Sequence, residues 1–502
     1  MLIALSTGLL KISIYLILFT VLYNVFIIVW KFRQVKFAWK SSMFFLPLIP
    51  FVGTAYIACF TKTKLSMIDM VIWCEKHFKG LPANFWFGLN YHYVTNNAEV
   101  ARVLLNHPKC LNKAQVYDSV QSCLRNSLPT IPAEHWKPRR RHLRAAFTTN
   151  MIRSIYPTFH EQSCILLDRV KTFKPEDSLY DFFNKYVFKI FFLSSFGISD
   201  SSENHKIEDI AVSFDQIQDE FVKLFVNPVI PADIWKKLPF GAKMRELEDI
   251  IRGNLIEHLL EHKKQRNQDT VYLDDEKETT LVALLLDDGY KKESDSDLYN
   301  ELLLFAFAAT DTTGHTLAFA FAMLAIYPEI QNKAYEEIMS VIGDRNVEWA
   351  DVQNLKYIDA ILCETLRLMP TIPLFGRYCS EDVEVGDMVI PKGSNVILCA
   401  FKIQRNPEYW EDPLKFDPSR FFPENMSKIV PGSYLPFSIG ARNCIGQTMA
   451  MTILKLTIAS VLRSFSMRST HKSVEDLRFE SCLSMKTSHP LSCEFIPRAK
   501  TK

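Results

Sequence analysis

"PFSIGARNCIGQ", residues 436–447, sets one cysteine, Cys444, two residues after Arg442 and two before Gly446. A thiolate is a soft ligand that suits haem iron or an iron–sulfur centre, and the single cysteine of this stretch disfavours a four-cysteine cluster. Haem is the better fit. The chain beyond it, "IGQTMAMTILKLTIASVLRSF", has helical periodicity, so the sulfur would sit at a helix N-terminus, where free N–H groups and the dipole favour negative charge. Gly440 permits a tight turn and Gly446 lets the helix approach a flat ligand closely. Arg442 can pair with a carboxylate on the edge of that ligand.

Three further segments lie upstream. In "ETLRLMPTIPLFGRYC", 364–379, Glu364 and Arg367 fall on one helix face and can form an ion pair. The same spacing occurs in "EVAR" at Glu99 and Arg102, so context must separate the two, and only the later one precedes "PTIPLFGR" and "DPLKFDPSRF". "AATDTT", 308–313, lies inside a run from about Asp297 to Ile326 whose apolar composition predicts a long buried helix. There Asp311 and Thr312 are neighbours in a wet pocket, or Asp311 is a buried carboxylate needing a partner; alternatively both simply bond to the backbone. In "WKPRRRHLRAAF", 136–147, Pro138 suits a helix's first turn, and Trp136, Leu143 and Phe147 share one face bordered by Arg140. Lys137, Arg141 and Arg144 make a basic stripe, readable as a solvated face or as a docking surface.

Phe437, Gly440, Arg442, Cys444 and Gly446 fill the FxxGxRxCxG signature of the cytochrome P-450 superfamily, the haem-thiolate monooxygenases, and the other segments follow in that family's order. The chain therefore resembles the family over nearly its whole length. The resemblance implies a mainly α (α+β) fold, a single helical domain with small β-sheets. It implies haem b, iron protoporphyrin IX, with Cys444 as the axial thiolate on the metal and with Phe437, Arg442 and Gly446 around it. By the same likeness Arg377, and Arg140 of a WxxxR pair with Trp136, reach haem propionates, while Glu364, Arg367 and Arg420 form a structural triad. Asp311 and Thr312 would relay protons to dioxygen. Electrons would come from NADPH–cytochrome P-450 reductase, an acidic donor docking on the face that bears the basic stripe, with cytochrome b5 as a second donor.

Within the family, "ETLRLMPTIPLFGR" and "RNPEYWEDPLKFDPSRFFPEN" look most like the fourth family of animal microsomal enzymes and its arthropod relatives, which points to lipid or other hydrophobic small-molecule substrates. Two departures stand out. Many members read EGHDTT, with a glutamate that can be esterified to haem; Ala308 holds that position and cannot form the ester, so the haem is expected to be non-covalent apart from the Cys444–iron bond. Ala309 replaces the usual glycine, adding a methyl group. Phe305, Ala309, Ile372, Leu374 and Leu483 are nominated as pocket residues, with ordinary core packing as the alternative. Two rival functions remain open. Haem-thiolate isomerases and dehydratases work without a reductase but usually lack the acid–alcohol pair retained here, and a catalytically silent haem-binding protein needs neither.

The rest of the chain sets the frame. At 502 residues and 48% hydrophobic it can bury a large core, and a net charge of +2 gives no global case for a nucleic-acid partner. The eleven cysteines show no CxxC spacing. Nineteen uncharged residues, Ile12–Trp30, followed by Lys31, Arg33, Lys36 and Lys40, predict a retained anchor helix in residues 1–40, with 41–502 as the catalytic domain on the cytoplasmic face of the endoplasmic reticulum. "LPLIPFVGTAY" reads as a stiff linker, "KKQRNQDTVYLDDEKE" as an exposed connector, and 224–240 as either a membrane-dipping or a buried loop. Strand signals are confined to "FWFGL", to residues 382–398 and to "LSCEFI".

Overall fold

A computed structural model describes residues 2–37, 67–77, 81–87, 90–118, 127–196, 210–214, 216–217, 220, 232–253, 280–286, 295–481 and 484–499. The linker at 46–56, the connector at 263–278 and the nominated pocket residue Leu483 lie outside the described residues. The main helices are α1 (Leu2–Trp30), α2 (Ala98–Asn106), α3 (Ala133–Leu143), α4 (Tyr156–Val170), α5 (Leu179–Phe196), α6 (Asp295–Ile326), α7 (Pro328–Val341), α8 (Lys356–Leu368) and α9 (Gln447–Ser464). Among the described residues ten short strands accompany them: β1 (Ala83–Phe87), β2 (Asn90–Thr95), β3 (Leu374–Tyr378), β4 (Val383–Val385), β5 (Met388–Ile390), β6 (Asn395–Cys399), β7 (Phe465–Arg468), β8 (Phe479–Ser481), β9 (Met485–Thr487) and β10 (Glu494–Pro497). The mainly helical domain with small sheets is as expected.

The longest domain helix, α6, has 32 residues and is apolar on every side, so it can only be central. Its Leu298–Ala306 stretch packs in one core with Trp136, Leu143, Phe188 and Phe192, while Leu317–Ile326 packs in a second core with α4, α5, α8 and α9. Between the two cores runs the polar stretch from Thr310 to Thr316. Gly314 sits within it, where a Cβ would fall 2.0 Å from Asn184 Oδ1 of α5. Glycine weakens a helix interior by roughly 1 kcal/mol, but here it allows α5 and α6 to touch. Further along the contact Phe183 stacks on Phe321 at 4.9 Å, and truncating such a buried ring to alanine costs about 3–5 kcal/mol.

The largest sheet has the order β1–β2–β6–β3, with β2 parallel to β6 and the other pairs antiparallel. The single strand signal at 382–398 resolves into β4, β5 and β6, whereas β2, β3, β7, β8 and β9 had no sequence signal assigned. A second correction concerns α3. Pro138 lies inside it rather than in its first turn, because the helix begins at Ala133.

Among the described residues no helix is long and apolar enough to cross a membrane, so the membrane-spanning segment expected in residues 1–40 is not established. What α1 shows is an apolar surface, with Ile12, Tyr15, Ile17, Leu22 and Phe26 exposed, and a docked end, with Ile27 buried against the Trp86–Tyr93 cluster. Just beyond it Arg33 pairs with Asp382 at 2.6 Å. In the 224–240 loop the described part forms a short helix, Ala232–Lys237, with Ile234 exposed and Trp235 buried.

Candidate active site

The Cys444 loop is tight. The Cys444 N–H donates to Phe437 O at 2.9 Å and Asn443 N–H to Gly440 O at 3.2 Å. Gly440 has φ +75°, and a Cβ there would meet Leu105 O of α2 at 2.1 Å, so both conformation and space require glycine. Gly446 caps α9, which sets Cys444 three residues before the first helical residue, Gln447. The Cys444 side chain is accessible to solvent although protein atoms surround it on most sides. Burial pushes its thiol up, while the Gly446 N–H and the Arg140 guanidinium pull it down. Ile445 and Ala309 pack on the same apolar core as Phe147 and Phe305, which brings the cysteine loop and the middle of α6 to one site.

Four cations converge beside this loop. Arg377 on β3 is buried, donates only to Gly376 O at 3.1 Å, and has an unpartnered Nη2. Arg442 donates to the carbonyls of Leu128 and Ile131 at 3.3 and 2.9 Å and lies 4.5 Å over the Trp136 ring, with its Nε unpartnered. Lys113 is held well below its usual range by burial and by Arg377 and Arg442, and burial with the same crowding by Arg377 and Arg140 pushes Arg442 down to about 9. Buried cations this close require an anion. The propionates of haem match that need, and a cysteine at a helix N-terminus matches its iron, so the residues present fit haem. Lys113 and Tyr117, whose phenol burial pushes up and Arg377 draws down, were missed in the sequence. Arg140 is placed otherwise than expected: its two terminal nitrogens donate to Asn443 O and Oδ1 at 2.8 and 2.9 Å, bracing the cysteine loop.

On α6, Ala308 is exposed and Ala309 partly buried. The Thr312 hydroxyl donates to Ala308 O at 2.7 Å, the backbone bond that mid-helix threonines commonly make. Asp311 is buried 3.2 Å from His315 Nε2, so it is the carboxylate with a partner. Of the nominated pocket residues, Phe305 is buried against Phe147 at 5.6 Å, Leu374 is partly buried and Ile372 is exposed.

The structural triad forms as expected. Arg367 donates from Nε and Nη2 to Glu364 at 2.6 and 2.8 Å, and Arg420 Nε lies 3.5 Å from the same carboxylate. Burial lifts the Glu364 carboxyl above its usual range and Arg367 draws it back.

Comparison with known proteins agrees with this geometry. The chain is similar to probable cytochrome P-450 4p3 of Drosophila melanogaster, 27% identical with 85% of each chain covered. It is similar to cytochrome P-450 4c21 of Blattella germanica, 28% identical over 86% of this chain and 89% of the relative. It also resembles cytochrome P-450 4V2 of Mus musculus, 28% identical over 85% and 86%. The family model for cytochrome P-450 matches residues 46–495, and with that match the chain belongs to the cytochrome P-450 family of haem-thiolate monooxygenases.

Proposed function

We propose that the protein is a membrane-anchored monooxygenase that inserts one oxygen atom from dioxygen into a hydrophobic substrate of lipid type, drawing electrons from NADPH–cytochrome P-450 reductase and, as a second donor, cytochrome b5. The observation that carries the reading is the juxtaposition of the Cys444 loop with the cations Lys113, Arg377 and Arg442, the two arginines each keeping an unpartnered nitrogen. Haem, when bound, supplies dioxygen activation, with the cysteine thiolate favouring O–O cleavage. The protein's own residues bind and orient it. Cys444 would hold the iron, and Lys113, Arg377 and Arg442 would neutralise the propionates, each charge-assisted hydrogen bond contributing about 1.5–3 kcal/mol. Phe305, Phe147 and Ala309 exclude water beside α6, and Asp311 with Thr312 holds the protons that oxygen chemistry consumes. The methyl group of Ala308 can form no ester, so the haem is b-type and leaves the polypeptide on acid extraction.

Support for the anchor is the exposed apolar surface of α1 followed by Lys31, Arg33 and Lys36, a pattern that keeps the basic flank and the catalytic domain on the cytoplasmic side of the endoplasmic reticulum membrane. Lys137, Arg141 and Arg144 are exposed along α3 and its continuation, and they form the surface on which an acidic reductase would dock.

The deciding experiment is the carbon-monoxide difference spectrum of the reduced, haem-loaded protein beside Cys444→Ser. A red-shifted Soret band that the substitution abolishes is the expected result; a band of histidine type would remove the reading. Consumption of both NADPH and dioxygen then separates a monooxygenase from an isomerase, which needs neither.

A further inference from the structure

Asp311 has a partner that the long apolar helix gives no other reason to carry. Oδ1 of Asp311 lies 3.2 Å from Nε2 of His315, one turn further along α6, and both side chains are buried. The second ring nitrogen, Nδ1, lies 3.0 Å from the carbonyl oxygen of Met485 on β9. A carbonyl oxygen only accepts, so Nδ1 bears a proton. An ionised carboxylate also only accepts, so the contact between Nε2 and Asp311 needs a second proton. Either Nε2 bears it, as imidazolium against carboxylate, or Asp311 bears it and donates to Nε2. The two forms share zero net charge and differ by one proton moved between Oδ1 and Nε2.

The ring is also fixed from its other side. Tyr180 of α5 meets it edge-on at 4.7 Å between centroids. Tyr180 in turn accepts from the Thr487 N–H at 2.9 Å and shares a hydrogen bond with Thr487 Oγ1 at 3.1 Å. Strand β9 therefore holds His315 twice, directly through Met485 and indirectly through Thr487.

The geometry assigns His315 as a positioning residue for proton delivery: it keeps Asp311 buried, charge-neutral as a pair, and supplied with one mobile proton beside Thr312. The proton moves from Nε2 to Oδ1 as the Asp311 carboxyl releases one toward water at Thr312. What remains is a carboxylate and an Nδ1–H imidazole, with one negative charge that a proton from solvent restores. The catalytic consequence rests on the monooxygenase reading, while the pair itself does not.

Two substitutions separate this role from packing. His315→Gln places an amide N–H near the position of Nε2 and keeps the bond to Asp311 at the expense of Met485. His315→Asn reaches only the position of Nδ1, keeping Met485 and leaving Asp311 unpaired. Each full-length, haem-loaded variant is measured in two ways: by the infrared carboxyl stretch assigned through Asp311→Asn, and by NADPH oxidation and hydrogen peroxide release with reductase and no added substrate. The expected result is that His315→Asn shifts the Asp311 band, raises peroxide per NADPH and slows oxidation on the order of tenfold, below the hundredfold at which direct acid–base groups begin. His315→Gln, which keeps a donor on Asp311 but has no proton to yield, returns the Asp311 band toward the unsubstituted protein while oxidation stays slow and peroxide release stays raised. Equal infrared shifts in the two variants, or oxidation in His315→Gln as fast as in the unsubstituted protein, would overturn the inference and leave His315 a packing residue. An absent thiolate band in the unsubstituted protein would instead overturn the monooxygenase reading, and the infrared shift would still decide the pair.

Discussion

Arg367 and Arg377 are both fully enclosed, at 0% and 1% exposure, yet the fold treats them in opposite ways. Arg367 gives two hydrogen bonds to Glu364 and others to the carbonyls of Gln404, Pro413 and Lys415, with its guanidinium 5.0 Å from the Trp410 ring. Arg377 gives one, to its own neighbour, and faces other cations. A buried charge is costly unless it is paired. The first arginine finds its pairing within the chain and so reports on architecture; the second lacks it and so reports on a ligand. Burial alone distinguishes neither, whereas the count of satisfied donors does.

The sharpest way to break this contrast is to remove each guanidinium in turn. Arg367→Ala strands Glu364 in the core and should cost about 3–5 kcal/mol, with apoprotein and haem-loaded protein losing equally in denaturant titrations. Arg377→Met should weaken haem retention by roughly 1.5–3 kcal/mol, the worth of a charge-assisted bond, while the apoprotein melts no lower than before. An apoprotein destabilised as much as the holoprotein would place Arg377 with Arg367 and end the distinction. Joint reversal of Lys137, Arg141 and Arg144 to glutamate should leave melting and haem content unchanged, because these cations are exposed, and slow reduction by the reductase with a flatter salt dependence. Unchanged reduction kinetics would remove the docking surface. Smallest of all is Arg102→Ala, in the other ExxR, whose Glu99 and Arg102 both face solvent on α2: the expected loss is under about 0.5 kcal/mol by thermal melting.

That last pair shows how much the sequence can disclose. Glu364 and Arg367 have the same spacing as Glu99 and Arg102, and only the residues that follow, from Pro370 to Arg377 and from Asp412 to Phe421, separate them in advance. Cys444, Gly440 and Gly446 were legible because ligand chemistry and backbone conformation restrict those positions to one residue type. Lys113 and Tyr117 were not, since they join the site only when β3 carries Arg377 against their segment. Nor was His315, whose role depends on the carbonyl of Met485 far along the chain. The family resemblance places Arg140 on a propionate, but it is silent on Asn443, which takes both of its terminal nitrogens. β3 carries no strand signal of its own because Pro373 stands just before it and Gly376 within it, and it is held in place by β6 and not by its own propensity.

The parallel pairing of β2 with β6 carries a consequence for how the molecule comes to exist. Tyr91 and Asn395, hydrogen-bonded across that pairing, stand 304 residues apart. At the usual pace of synthesis the earlier strand waits roughly 15 to 60 s for the later one to leave the ribosome. During that interval the aromatic hairpin of β1 and β2 presents an open edge, the form of surface most prone to mispairing. The site's cations are assembled by the same late strand, because β3 reaches the sheet through β6. Haem capture is therefore among the last events in the life of the nascent chain, and a protein halted before residue 395 has no clamp to offer.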